Sequence, residues 1–182
     1  MSVIKNRPLK QLLWVGMAAI AMFFAGLTSA YIVRKAEGKW TEFILPEWFW
    51  YSTITIVLSS VVLILAKQKI KKDKSVFSLV LSVFMLGLLF SFFQLTGWEE
   101  LTNQGVYLTG EGSNVSGSFL YVLTLSHLVH LIGGLIALLV TAINAKRKKY
   151  SAEDYLGLEI TSIYWHFLSI LWIYLFCFLK YL

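Results

Sequence analysis

The chain has 182 residues, 58% of them hydrophobic and 14% charged, with a formal net charge of +6. A soluble domain runs at roughly half apolar and a quarter charged, so this composition fits lipid as solvent and excludes an ordinary soluble core. The basic residues fall in short clusters between apolar runs, which excludes nucleic acid as a partner and makes the charge a signal of topology.

A hydrocarbon core about 30 Å thick needs about 20 apolar helical residues to cross it. The first stretch that qualifies runs from Leu12 to Val33, behind Lys5, Arg7 and Lys10. Small residues at Thr28, Ser29 and Ala30 imitate a cleavage site, but the apolar run exceeds the about 7–15 residues of a signal peptide, so a retained helix is expected. Gly16, Ala19, Phe23, Gly26 and Ala30 share one face and are read as its packing stripe. The second span covers Trp48 to Ala66, with Pro46 placed to open it and Pro8 outside the first span. Its stripe is Ser52, Thr55 and Ser59.

Lys67, Lys69, Lys71, Lys72 and Lys74 lead to the third span, Val76 to Leu95, whose stripe is Gly87, Ser91 and Gln94. Thr96 to Ser118 carries neither Lys nor Arg and reads as an irregular loop or a short surface element, from its Gly, Asn, Ser and Thr content. The fourth span, Phe119 to Ile143, holds His127 and His130 with Ser126, Gly133, Gly134 and Ala137 close by. After Lys146, Arg147, Lys148 and Lys149, the run Ser151–Asp154 reads as a capping box that starts the last helix near Ala152. From there to the end of the fifth span, Ile160 to Leu182, such a helix would run roughly 45 Å. Glu159, Ser162, His166 and Ser169 form its polar stripe.

The expected fold is all-α: one polytopic membrane domain over residues 1–182 with five transmembrane helices. Twelve Lys and Arg residues fall on the side of the N-terminus and four on the other. The positive-inside rule therefore places the N-terminus in the cytoplasm and the C-terminus outside.

Ionisable groups inside a membrane face the bundle interior or a partner, which marks the fourth and fifth spans for function. His127, His130 and His166 could equally hydrogen-bond neighbouring helices. No metal is expected on the chain: a closed site needs three or four ligands, and neither carboxylate nor thiolate lies near the His127–His130 pair in sequence. Cys177 stands alone in an apolar run and reads as a small packing residue.

The stretch Thr124-Leu-Ser-His127-Leu-Val-His130-Leu-Ile-Gly133-Gly134 resembles subunit III of the haem-copper terminal oxidases, including cytochrome c oxidase. Glu159, seven residues before the His of Tyr164-Trp165-His166-Phe167, is similar to the last helix of that family, and Trp172 also fits. Thr53 with Ser59 and Ser60 resembles its Thr-plus-double-Ser helix, and Leu86-Gly87 with Phe90 and Gln94 the helix after that. The resemblance covers essentially the whole chain and corresponds to the five-helix bacterial form.

It implies an accessory subunit of the bacterial cytoplasmic membrane, without cofactor of its own, packed beside catalytic subunit I and other oxidase subunits. Haem and copper would belong to those partners, since a haem-copper core needs about six histidines and this chain has 3. The resemblance also implies phospholipid binding, support of proton uptake and protection of the core during turnover. Glu159, His166, Trp165 and Tyr164 are the expected proton-access or interface residues. His127, His130, Gln94, Ser59 and Ser60 are the expected polar contacts between helices. Two departures from the family pattern stand out: Ile20 where many members bury a Glu, and Ser169 where many carry an Asp. Four other readings stay open on sequence. The oxidase could take quinol, or the chain could be the related protein of a nitric oxide reductase system. It could be a b-haem anchor using His130 and His166, or a small transporter.

Overall fold

The computed structural model describes residues 2–38, 40, 43–110 and 112–181, with side chains in the first helix from Pro8 onward. Lys39, the side chains of Lys5 and Arg7, and Leu182 as the end of the fifth span lie outside the described residues. The helices are α1 (Ser2–Ala36), α2 (Trp48–Ile70), α3 (Phe77–Asn103), α4 (Val115–Lys146) and α5 (Leu156–Tyr181). Each contains a stretch long and apolar enough to cross a membrane, and no strand occurs among the described residues.

Hydropathy marks the part of a helix in lipid, and here the helices run on past it. The 32 residues of α4 extend about 48 Å, well beyond a hydrocarbon core about 30 Å thick. α3 continues to Asn103, so the irregular loop expected over Thr96–Ser118 shrinks to residues 104–114. Packing holds that extra length. Trp98 Nε1 donates to Thr124 Oγ1 of α4 at 3.1 Å, and Leu101 is fully buried. α4 starts at Val115 because Asn114 caps it, its side chain accepting from Gly117 N at 2.7 Å. Replacing Asn114 by Ala should lower the thermal midpoint by the equivalent of about 1 kcal/mol, as for other lost N-caps.

Two expectations about helix starts are corrected. Pro8 lies inside α1, where its missing N–H removes one bond from the second turn of the helix. The Ser151–Asp154 run does not open α5, which begins at Leu156. Asp154 N donates to Ser151 Oγ at 3.1 Å as a capping residue would. Ser151 N, however, donates to the Asp154 carbonyl, which closes the segment into a turn of its own. Ala152 N is meanwhile drawn 2.8 Å to Asp73 Oδ1, in the α2–α3 connection. Pro46 precedes Glu47, the residue flanking the start of α2, and its carbonyl accepts from Phe49 N at 3.2 Å.

The ends of α2 and α4 terminate alike, with a left-handed residue at Asp73 (φ 52°) and Lys148 (φ 53°). In each, the next amide reaches back into the last turn, Lys74 N to Lys69 O and Lys149 N to Asn144 O. Glycine usually holds that position, and an L-residue there costs about 1–2 kcal/mol.

α2 packs on α3, α3 on α4, α4 on α5, and α5 closes back on α2, so α2–α5 form a four-helix bundle. Its core is built on Trp165, Trp172, Phe49, Phe90, Leu63 and Leu131, all fully buried or nearly so. α1 lies outside this bundle against α4 and α5. It docks through Phe24 and Tyr31 onto Leu123, Leu171, Leu175 and Phe178.

The face of α1 is therefore not the expected one. Gly16, Ala19, Phe23, Gly26 and Ala30 are exposed, and nothing within the chain approaches Gly16 or Gly26. Met17, Phe24, Thr28 and Tyr31 are buried instead. Small residues let helix backbones come close, whereas α4 and α5 offer α1 aromatic and leucine side chains that only bulky partners fill. The stripes expected on α2 and α3 do face inward: Ser52, Thr55, Ser59, Gly87 and Gln94 are buried, with Ser91 half-buried.

Candidate functional site

α5 touches α1, α2 and α4, and its polar residues tie it to each. Along the α2 seam, Trp165 Nε1 donates to Ser59 Oγ and Trp172 Nε1 to Thr53 Oγ1, both at 2.9 Å. Each accepting hydroxyl donates in turn to its own helix, Ser59 to Ile56 O and Thr53 to Phe49 O. The hydroxyls thus satisfy their own donors and still serve as acceptors for indoles. One residue further on in each helix from the Trp165–Ser59 pair, Ser60 Oγ and His166 Nδ1 lie 2.5 Å apart. The spacing of these pairs shows α2 and α5 to be antiparallel.

Three consecutive residues of α5 meet different neighbours. Tyr164 Oη donates to the His130 carbonyl of α4 at 3.1 Å. Trp165 is fully enclosed, its ring against Gly87 of α3 and Gly134 of α4. It has no surface to offer a cleft or a partner chain, and that part of the expectation is corrected. His166 turns to α2. Thr141 Oγ1 and Thr161 Oγ1, 2.9 Å apart, add a bond between α4 and α5.

Glu159 opens the first turn of α5 and forms an ion pair of 2.7 Å with Lys10 of α1. Both side chains keep about a third of their surface open, 37% for Lys10 and 26% for Glu159. At the far end of α1, Tyr174 Oη donates to Thr28 Oγ1 at 3.0 Å. α1 is thus pinned to α5 near both ends, running parallel to it. Lys10 entered the sequence reading only as a topology charge. Its position within the start of a helix was the signal that it could reach a neighbouring helix.

The two histidines of α4 diverge. His130 Nδ1 donates to the Ser126 carbonyl of its own helix at 2.7 Å, and its ring meets Phe24 of α1. His127 points into the four-helix core against Phe90 and Trp172. His130 and His166 face α1 and α2 respectively, so they do not converge as axial ligands of one haem. Among the described residues, no three of His, Cys, Asp and Glu gather as a metal site. Gln94 Nε2 of α3 donates to Ser52 Oγ of α2 at 2.7 Å. Ile20 packs half-buried in the α1 cluster, and Ser169 Oγ donates to the Trp165 carbonyl. Neither position carries a charge.

This geometry defines a multi-pass membrane bundle whose polar side chains hold helices to one another. The family model described as cytochrome c oxidase subunit III matches residues 45–182. The chain is 33% identical to a probable cytochrome c oxidase subunit 3 of Nocardia farcinica, across 94% of this chain and 87% of that protein. It is 28% identical to the cytochrome c oxidase subunit 3 of Corynebacterium diphtheriae, across 85% and 78%. With that of Thermostichus vulcanus it shares 26% identity, across 90% and 82%.

The chain belongs to the cytochrome c oxidase subunit III family. It is a multi-pass protein of the bacterial cytoplasmic membrane and a subunit of a cytochrome oxidase complex, with other oxidase subunits as its partners.

Proposed function

We propose that this subunit performs no redox chemistry itself and supports a proton-pumping redox core held on catalytic subunit I, where haem and copper reside. The end of the bundle that carries the α2–α3 and α4–α5 connections is read as cytoplasmic, by its excess of lysine and arginine. The observation that carries the reading is Glu159. It is the carboxylate set within α5 at that basic end, partly open to solvent and balanced by Lys10. A half-exposed carboxylate at the membrane boundary offers protons a local acceptor beside the core and holds α1 in place. With Ile20 and Ser169 where many members of the family carry carboxylates, the reading includes no carboxylate path through the membrane interior and confines Glu159 to the proton-entry side.

Phospholipid binding is the second part of the reading. At the opposite end an open cavity of about 570 Å³ is lined by Phe43, Ile44, Glu47, Trp50, Leu179 and Lys180. Lys180 Nζ sits 4.1 Å over the Trp50 ring, an arrangement of aromatic and cationic groups suited to the headgroup level of a bilayer.

The test is Glu159→Gln in the intact oxidase, with oxygen consumption followed through sustained turnover. A half-exposed ion pair contributes only about 0.2–1 kcal/mol, so the variant should fold and assemble. Its initial rate should fall, or its activity should decay severalfold faster than wild type. An oxidase that neither slows nor inactivates sooner removes Glu159 from proton uptake.

A further inference from the structure

Two side chains at the centre of the four-helix core carry polar atoms that nothing in the fold satisfies. His127 and Gln94 are each 1% exposed. Neither ring nitrogen of His127 has a hydrogen-bond partner, nor has Gln94 Oε1. Buried polar atoms are almost always paired, with protein or with ordered water, so orphans gathered in one region need an explanation.

The contacts around them place the orphans side by side. Trp98 of α3 donates to Thr124 of α4, and the Phe90 ring of α3 lies 5.8 Å from the His127 ring. Gln94 is one helical turn from both Phe90 and Trp98, and His127 is one turn from Thr124. In this antiparallel register Gln94 and His127 fall at the same level of the α3–α4 seam. Trp172 roofs the spot, its ring 5.1 Å from that of His127 and 5.0 Å from that of Phe90.

We propose that His127 and Gln94 jointly bind a water molecule that bridges α3 and α4. Gln94 Oε1 can only accept, while a neutral imidazole presents one donor and one acceptor. No direct bond joins them, since neither Oε1 nor either ring nitrogen has a partner. A water can donate to Oε1 and either donate to or accept from the nearer ring nitrogen, whichever tautomer is present, which gives it the two partners that a buried water needs. A metal ion is the poorer match, because one imidazole and one amide oxygen make two ligands. Further polar groups continue along the same seam. Thr124, Tyr121 and Thr102 set hydroxyls along it, with Tyr121 Oη donating to the Val106 carbonyl in the 104–114 loop.

The experiment is a double-substitution cycle in the intact oxidase: Gln94→Met, His127→Phe and both together, each preserving approximate shape. Thermal release of the subunit is the readout. Each single variant leaves part of the bridge orphaned and should lower the midpoint, while the double variant removes both ends and should fall no further than the worse single. Additive losses overturn the proposal. A density map of the wild-type oxidase fine enough to show waters gives the second reading. A peak within about 3 Å of Gln94 Oε1 and of one His127 nitrogen is expected. A dry site, or direct contact between the two side chains, overturns it, also where a variant fails to assemble.

Discussion

Replacing Trp165 by Ala should be the most damaging single truncation in this chain. The indole is 0% exposed and fills a slot between α3 and α4 made by two glycines. A Cβ added at Gly87 would come within 2.7 Å of it, and one at Gly134 within 3.1 Å. Its Nε1 also makes the bond to Ser59 that holds α2 against α5. Truncating a buried Trp in a soluble core costs about 3–5 kcal/mol. In lipid the transfer part shrinks, because acyl chains receive apolar groups as readily as the core does. The lost packing, the cavity and the orphaned Ser59 interaction remain. The expected loss lies at the low end of that range, read as a lowered midpoint for subunit release in detergent. Trp165→Phe keeps most of the ring and should fall between Ala and wild type. An unchanged midpoint for the Ala variant would show that the slot does not hold the bundle.

Gly87→Val should approach that effect from the opposite direction. The first added carbon already meets Leu135 Cδ2 and Trp165 Cη2 at 2.7 Å, and both of those side chains are themselves enclosed. Overpacking of this kind costs about 1–3 kcal/mol, occasionally more. Gly26→Val on α1 is the matched control, because nothing lies within 4 Å of a Cβ there. The Gly87 variant should melt earlier and the Gly26 variant of the isolated subunit should not. Equal shifts would mean that the contrast between the two glycines is only helix propensity.

The five spans and the polar stripes of α2 and α3 were legible because they follow from hydropathy and helical period. Helix ends were not. α3 runs past Leu95 on contacts with α4, and α5 starts late because Ser151 and Asp154 bond each other while Asp73 holds Ala152. Such choices are made by groups distant in sequence. The face of α1 was misread because a rule about close backbone approach was applied to a helix whose neighbours present large side chains. The histidines of α4 show how fine the distinction becomes. Three residues apart, they sit about 60° apart around the helix at 3.6 residues per turn. That suffices to send His127 into the core and His130 toward α1. Spacing alone placed them on one side. Lys10 and Glu159 were both noticed, but nothing in either segment announced the other.

The placement of α1 also imposes an order in time. Among the described residues α1 meets only α4 and α5, which are made well after it. About 120 residues separate the end of α1 at Ala36 from the start of α5 at Leu156. Chains grow at about 5–20 residues per second, so α1 waits on the order of ten seconds for Glu159, Tyr174 and Phe178 to arrive. Until α4 arrives the aromatic face of α1 lies in lipid, and until α5 arrives Lys10 has no counter-ion from it. A ribosome that stalls before α5 leaves α1 held only by its contacts with α4, and a membrane protease that removes loosely held helices would find it there.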